Sequence, residues 1–310
     1  MDRQTMIKRL GGCYLAVPTL FGDDLALSLD GMRRHVQFML AGGLREGNAV
    51  LLVNGAAGEF PVLSMEERKQ TAETVVRAAG GQIAVIVGAQ TTGTREACEI
   101  ARHAQAIGAV ALQVSAPYYY LLTDDDVYEH FAAVAAAAPE LGIVVYTTYW
   151  LTHRPSLQLL ERLAEIPQVA AIKWGSPDIV EYQVALLRFA GRLGVIDNQL
   201  LPVFNQLMGG SGVNLHPALF WPEWGVKVWG LLETRAWDEA QTEINRLLLP
   251  YYELSGEIGT YTGGEGHIDK AGLELAGLSG GRNRPPTRPL PPSYKERLRQ
   301  LCREAGMPIE

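Results

Sequence analysis

Residues 142–174, GIVVYTTYWLTHRPSLQLLERLAEIPQVAAIKW, decide the fold. An apolar run ends in Tyr146, a polar loop follows, Ser156 opens a short amphipathic segment, and a second apolar run ends in Lys173. The pattern predicts strand, loop, helix, strand, with the two strands as parallel neighbours. Tyr146 and Lys173 then fall at C-terminal strand ends, the edge where α/β proteins place their chemistry. A lysine in an apolar strand is costly unless it is exposed, paired or kept neutral. Two readings stand side by side: an amine nucleophile with a proton-moving tyrosine beside it, or a snorkelling edge-strand lysine with an ordinary core tyrosine.

Working outward, the same alternation covers most of the chain. Strands are expected at Cys13–Thr19, Ala49–Asn54, Ile83–Ala89, Ala109–Ser115, Ile143–Thr147, Ala170–Trp174, Gly194–Asp197 and Gly212–His216. Helices are expected around Leu29–Ala41, Ser64–Ala79, Thr94–Ile107, Asp124–Ala138, Ser156–Ala164, Pro177–Ala190 and Pro202–Met208, with a capping box at Ser64 and Glu67 and further start signals at Thr123, Ser156 and Ser176. An open doubly wound sheet shares this local pattern, but a count of eight strands favours a closed (β/α)8 TIM barrel. After the eighth strand the rhythm becomes helical: Trp229–Leu254 as a hairpin or one long helix, His267–Ala276, and Ser293–Ala305. The chain reads as a catalytic barrel over 1–225 and a C-terminal helical extension over 226–310 completing the same unit.

With 310 residues, 47% of them hydrophobic and 20% charged, the composition is that of a globular protein with a large core. A net charge of −7 speaks against nucleic-acid and anionic-membrane partners. Cys13, Cys98 and Cys302 are odd in number and far apart, as expected of reduced thiols. The N-terminal stretch MDRQTMIKRLGG has no apolar signal region and no run approaches membrane-spanning length, so the expected location is cytoplasmic. The six histidines lack metal-ligand spacing, and His35, His103 and His130 are expected on helix surfaces. No metal and no cofactor is expected.

Several loops bear on ligand binding. Asn54-Gly55-Ala56-Ala57-Gly58-Glu59-Phe60 puts small residues at a strand's C-terminal end, where backbone N–H groups of Ala56, Ala57 and Gly58 can approach a carboxylate, although a tight turn would need the glycines anyway. Pro117-Tyr118-Tyr119-Tyr120 brings phenols to the same edge. The glycines of MGGSGVN precede a strand and no helix follows them, so they are not a dinucleotide fingerprint. YTGGEGHIDK could cradle an anion at a helix start but reads first as a loop before a helix, and SGGRNRPPTRPLPPS reads as a stiff surface connection in preference to a polyproline ligand for a partner domain.

Taken together, Gly55-Ala56-Ala57-Gly58-Glu59, Pro117-Tyr118-Tyr119, the Val145-Tyr146 strand end and Ile172-Lys173 resemble the dihydrodipicolinate synthase/N-acetylneuraminate lyase family of (β/α)8 aldolases. The resemblance implies that Lys173 forms a Schiff base with a small-molecule 2-keto acid such as pyruvate or a 2-keto-3-deoxy sugar acid, that Tyr146 shuttles protons, and that Tyr119 reaches across a dimer contact in a homotetramer of two dimers. Asn214 is expected to bind substrate, and loop geometry around Asn198, Asn214 and His216 to set the selectivity of the pocket. Two departures stand out: Ala56 and Ala57 replace hydroxyl residues of the motif, and the arginine of the synthase branch is missing near Trp150, with Arg154 the nearest candidate. Both argue against condensation with a dicarboxylic aldehyde, as a 4-hydroxy-tetrahydrodipicolinate synthase would perform, and favour an aldolase or dehydratase. The alternative of a different class is a keto-acid-binding regulatory protein with weakened catalysis. Phe60, Trp150 and Trp174 either line an apolar pocket for an aromatic or short aliphatic aldehyde portion or pack between helices and barrel.

Overall fold

The computed structural model describes residues 2–309. Eight parallel strands close into a barrel in sequence order: β1 Gly12–Ala16, β2 Ala49–Val53, β3 Ala84–Gly88, β4 Ala111–Val114, β5 Gly142–Tyr146, β6 Val169–Trp174, β7 Gly194–Asp197 and β8 Gly212–Asn214. Each strand is buried on both faces, which is why the strands read as near-continuous apolar runs. The period of two still separates two cores. Val50 and Leu52, Ala84 and Ile86, Val144 and Ala171 fill the barrel interior, whereas Leu51, Val53, Val85, Val87, Val145, Ile172 and Trp174 face the helices.

Several boundaries move for identifiable reasons. The helix expected from Pro177 starts at Ile179, because Asp178 rather than Ser176 caps it, accepting from the amides of Val180 and Glu181. Ser64, Thr123 and Ser156 cap as anticipated, the first two in full capping boxes. A short helix, Arg3–Arg9, has no counterpart among the expected elements; its Met6, with Leu10, plugs the barrel's N-terminal end, and a Cβ on Gly142 would lie 2.8 Å from Met6 Cγ.

His35 and His130 are not on the surface. They lie on the inner faces of their helices, among Met32, Val36 and Met39 and among Val127, Phe131 and Val134. His35 Nε2 meets the Leu219 carbonyl at 2.8 Å and His130 Nδ1 meets Thr94 Oγ1 at 2.9 Å. Burial lowers both imidazoles to about 4, so each is a neutral core group.

The expected hairpin is present, its second arm carrying a π turn. Pro222–Glu233 is followed by a break and then by Trp237–Glu243, a π turn over Ile244–Leu248, and Leu249–Tyr261. The π turn ends two residues before Pro250, whose missing N–H and ring would disrupt regular α-helical bonding. It delivers the adjacent Tyr251 and Tyr252 to the barrel mouth. The proline-rich segment is more than a surface connection. Arg284 donates to both oxygens of Glu67, at 2.6 and 2.9 Å, and to the carbonyls of Leu25 and Val62. Buried Lys270, on the His267–Leu275 helix, pairs with Glu59, which also accepts from the Arg284 amide at 3.0 Å. The helical extension is thereby locked onto the loop that follows β2, since either charge left alone in that site would be strongly unfavourable.

Candidate active site

The inward-facing rows of the strands converge at the C-terminal edge. Two residues beyond interior Ala111, Val144, Ala171 and Gly212 stand Gln113, Tyr146, Lys173 and Asn214, and all four side chains line one cavity of about 280 Å³. Tyr146 and Lys173 are register partners on β5 and β6. Lys173 is 4% exposed, and its Nζ lies 4.9 Å from the Tyr146 ring centre and 5.0 Å from that of Tyr14. Among the described residues this amine has no ion-pair or hydrogen-bond partner. Burial lowers its pKa to about 8, against the opposing pull of Glu265 and Asp197. A substantial neutral fraction is therefore present near physiological pH, as a nucleophilic amine requires. The Tyr146 phenol moves the other way: burial, and then the charge of Glu265, raise it well above the usual range, so it holds its proton. Tyr14 donates to Gln113 at 2.9 Å beneath this layer.

The loop after β2 contributes backbone. None of the amides of Ala56, Ala57 and Gly58 donates to another described residue; Ala56 and Ala57 line the cavity, where such amides can meet an anion, whereas Gly58 is not among its lining residues. Ala57 is 1% exposed, and the loop before the His267–Leu275 helix presses onto it: a Cβ on Gly266 would sit 2.3 Å from the Ala57 carbonyl oxygen. Gly266, at φ 85°, is thus required both for its backbone conformation and for the close approach.

The far wall comes from residues that local sequence pattern does not place. Tyr251, Tyr252, Glu265 and Asp269 all line the cavity with His216. Asn214 Nδ2 donates to the Tyr252 hydroxyl at 2.9 Å, and His216 Nδ1 lies 3.0 Å from Asp269 Oδ2. The YTGGEGHIDK segment, expected as a plain loop and helix start, carries half of this wall. Its acidic residues beside glycines are the available signal, but nothing in local periodicity says that the loop turns into the barrel mouth.

The remaining expected residues separate clearly. Asn198 and Trp150 line the cavity. Trp174 is 2% exposed and packs between barrel and helices, while Phe60 lines a second cavity of about 570 Å³. Arg154 is on the surface, paired with Glu181 at 2.6 Å. Tyr119 is 88% exposed, with φ 95°, and within one chain it does not touch the cavity. Among the described residues no cluster of three or more His, Cys, Asp or Glu is arranged to hold a metal, and no helix is long and apolar enough to cross a membrane. Cys13 and Cys302 are buried, and burial raises both thiols, so neither is a poised nucleophile.

Fold and site together define a (β/α)8 lyase type: a closed barrel with a desolvated, unpaired amine at its C-terminal edge beside a protonated phenol. The model of the dihydrodipicolinate synthetase family matches residues 9–305. The 4-hydroxy-tetrahydrodipicolinate synthases of Chlorobium limicola and Moorella thermoacetica are 32% and 34% identical over 209 and 208 residues, each alignment covering 66% of this chain and 68% of the relative. Among solved structures, the chloride-inhibited dihydrodipicolinate synthase from Acinetobacter baumannii complexed with pyruvate superposes with a TM-score of 0.85 at 25% identity, covering 96% of this chain and 100% of the other. A sialic acid aldolase from Ruminococcus gnavus shares the fold at a TM-score of 0.85 and 20% identity, covering 96% and 97%. The chain belongs to the dihydrodipicolinate synthetase family.

Proposed function

We propose that the protein is a Schiff-base lyase, an aldolase or dehydratase, that works on a 2-keto acid longer than pyruvate through an imine on Lys173. The observation that carries this reading is the unpaired, buried Lys173 amine with its pKa lowered to about 8. Its attack on C2 and loss of water give an iminium, an electron sink that permits cleavage or formation of the C3–C4 bond or loss of a hydroxyl. The open amides of Ala56 and Ala57 hold the substrate carboxylate, and Tyr146 moves the protons of imine formation and hydrolysis.

The space beyond the imine supports a bulky distal portion. The second cavity meets the first at Ala56, Tyr146 and Glu265 and is walled by Phe60, Pro61, Val62, Tyr118, Leu151 and Pro286. Gln90, 3% exposed, lines it with neither amide atom partnered among the described residues, leaving one donor group and one acceptor for a polar atom of that portion. A synthase reading has the identity of the curated relatives behind it, but the first cavity has no arginine to meet a second carboxylate. Steady-state kinetics with a panel of 4-hydroxy-2-keto acids, from polyhydroxylated to aryl-substituted, alongside pyruvate plus a carboxylated aldehyde, tests the reading. Cleavage or dehydration of panel members with higher kcat/KM than the condensation is expected. Binding of keto acids with no turnover of any would favour a regulatory protein instead.

The assembly belongs to the same reading. Tyr119, Tyr120 and Leu121 stand exposed with Leu151, and Tyr119 holds a backbone conformation that is costly for a residue with a side chain. We place the dimer contact there, with Tyr119 reaching a neighbouring site, in a cytoplasmic tetramer of two dimers. Sedimentation should show a dimer or larger species, and Tyr119→Ala should weaken the association by about 30-fold, the ~2 kcal/mol of a buried aromatic anchor. A fully active monomer would remove this role.

A further inference from the structure

One acid–base pair in the cavity plays no part in imine formation. His216 follows β8, three strands round the barrel from Tyr146 on β5, and lines the same cavity as Lys173. Its Nδ1 is 3.0 and 3.2 Å from the two carboxylate oxygens of Asp269. Asp269 is 1% exposed and also accepts from the Tyr251 hydroxyl at 2.5 Å, which fixes the carboxylate. Tyr251 and Tyr252 hold the imidazole plane, with ring centres 6.4 and 6.0 Å away. The carboxylate accepts a hydrogen bond from Nδ1–H and keeps the proton on that nitrogen, so the neutral ring presents Nε2 as a base, and among the described residues Nε2 has no hydrogen-bond partner. An imidazole oriented by a buried carboxylate, with its other nitrogen open to a substrate cavity, is the arrangement of a general acid–base.

We propose that His216 is the acid–base catalyst for the C4 hydroxyl of the substrate and that Asp269 is its positioning residue. The assignment rests on the Lys173 imine. In the cleavage direction, Nε2 takes the proton of the C4 hydroxyl. The C3–C4 bond breaks, its electron pair moves into the iminium to form an enamine, and the C4–O bond becomes the carbonyl of the released aldehyde. Tyr146 protonates C3 of the enamine, the His216 imidazolium gives up its proton through water to restore the Tyr146 phenol, and water hydrolyses the resulting imine to pyruvate and free Lys173. The one water released on imine formation is the one consumed, so no further reactant is needed. The pair supplies a proton route that does not depend on side chains at Ala56 and Ala57.

The charged and titratable groups around the pair are Lys173 from β6, Glu265, His267 and Lys270 from the segment that carries Asp269, Tyr251 and Tyr252 from the helix above, and His35 from the Leu29–Ala41 helix. Burial opposes the imidazolium, but the Asp269 charge and hydrogen bond outweigh it, and the net direction for His216 is upward. A kcat profile reports groups in the substrate-bound enzyme. There Lys173 is already an imine, so the cleavage limb that rises with pH belongs to His216.

The test compares wild type, His216→Asn and Asp269→Asn in three assays: kcat against pH on the best 4-hydroxy-2-keto acid, borohydride trapping of pyruvate, and exchange of the pyruvate methyl protons with deuterated water. Trapping and exchange should persist in both variants, because each needs only the imine and Tyr146. Cleavage should fall by about 100-fold or more in His216→Asn, the worth of a positioned acid–base group, and the rising limb should vanish. In Asp269→Asn the limb should move to lower pH, since the carboxylate that favours the imidazolium is gone. An unmoved limb in either variant, a change confined to KM, or a wild type that traps pyruvate yet cleaves no panel member overturns the assignment. Loss of trapping in the wild type would overturn the Lys173 reading itself. Should His216→Asn fail to fold, the near-isosteric Asp269→Asn carries the decision.

Discussion

Lys173→Ala should lower kcat/KM on the best keto acid by roughly three or more orders of magnitude, the scale on which loss of a covalent nucleophile is read. Lys173→Arg should do no better, because a guanidinium keeps its proton and cannot attack a carbonyl. The wild-type rate of imine formation carries a signature of its own. Burial lowers the amine to about 8, so the neutral fraction, and with it the rate of imine formation, should rise with pH up to about 8 and level off above it. The sign follows from desolvation, which penalises the ammonium and leaves the neutral amine unaffected. A rate flat from pH 6 to 9 would mean that another group performs the attack.

Tyr146→Phe should lower turnover by about two or more orders of magnitude while the imine still forms slowly, since Lys173 is untouched. The reason is the state of the phenol. Burial and the charge of Glu265 keep it protonated, so at neutral pH it donates its proton and recovers it by exchange instead of acting as a standing anion. Restoring a hydroxyl on the opposite loop should not compensate. Ala57 is 1% exposed and its backbone lies against the Gly266 loop, so Ala57→Thr crowds a buried position at the cavity, a change that typically costs about 1–3 kcal/mol. Comparison of kcat/KM and trapped adduct across wild type, Tyr146→Phe and Ala57→Thr separates proton transfer from imine formation. Near-wild-type turnover in Tyr146→Phe, or marked acceleration in Ala57→Thr, would contradict this proton path.

The barrel was legible because its determinants are local. Eight apolar runs with helices between them declare themselves by period, and the register places Tyr146 beside Lys173 and Asn214 in the same inward row. The small residues of the β2 loop are readable in the sequence, and they allow the close approach of the Gly266 loop to the Ala57 backbone. The far wall of the cavity was not. His216 and Asp269 are 53 residues apart, and their meeting depends on how the helical extension folds over the mouth, which the π turn before Pro250 and the buried Lys270–Glu59 pair determine. Histidine itself misleads on a helix, because a ring at an inner position is as readily a neutral core group, as His35 and His130 are, as a surface one. The seven-residue helix Arg3–Arg9 was too short to show a period, and its role lies in Met6 reaching the barrel floor.

The central claim is that Lys173 forms the imine, and borohydride reduction in the presence of pyruvate, followed by mass mapping of peptides, tests it most directly. A reduced pyruvate adduct on Lys173, absent from Lys173→Ala, is the predicted result. An adduct on a different lysine, or none at saturating pyruvate, would contradict it.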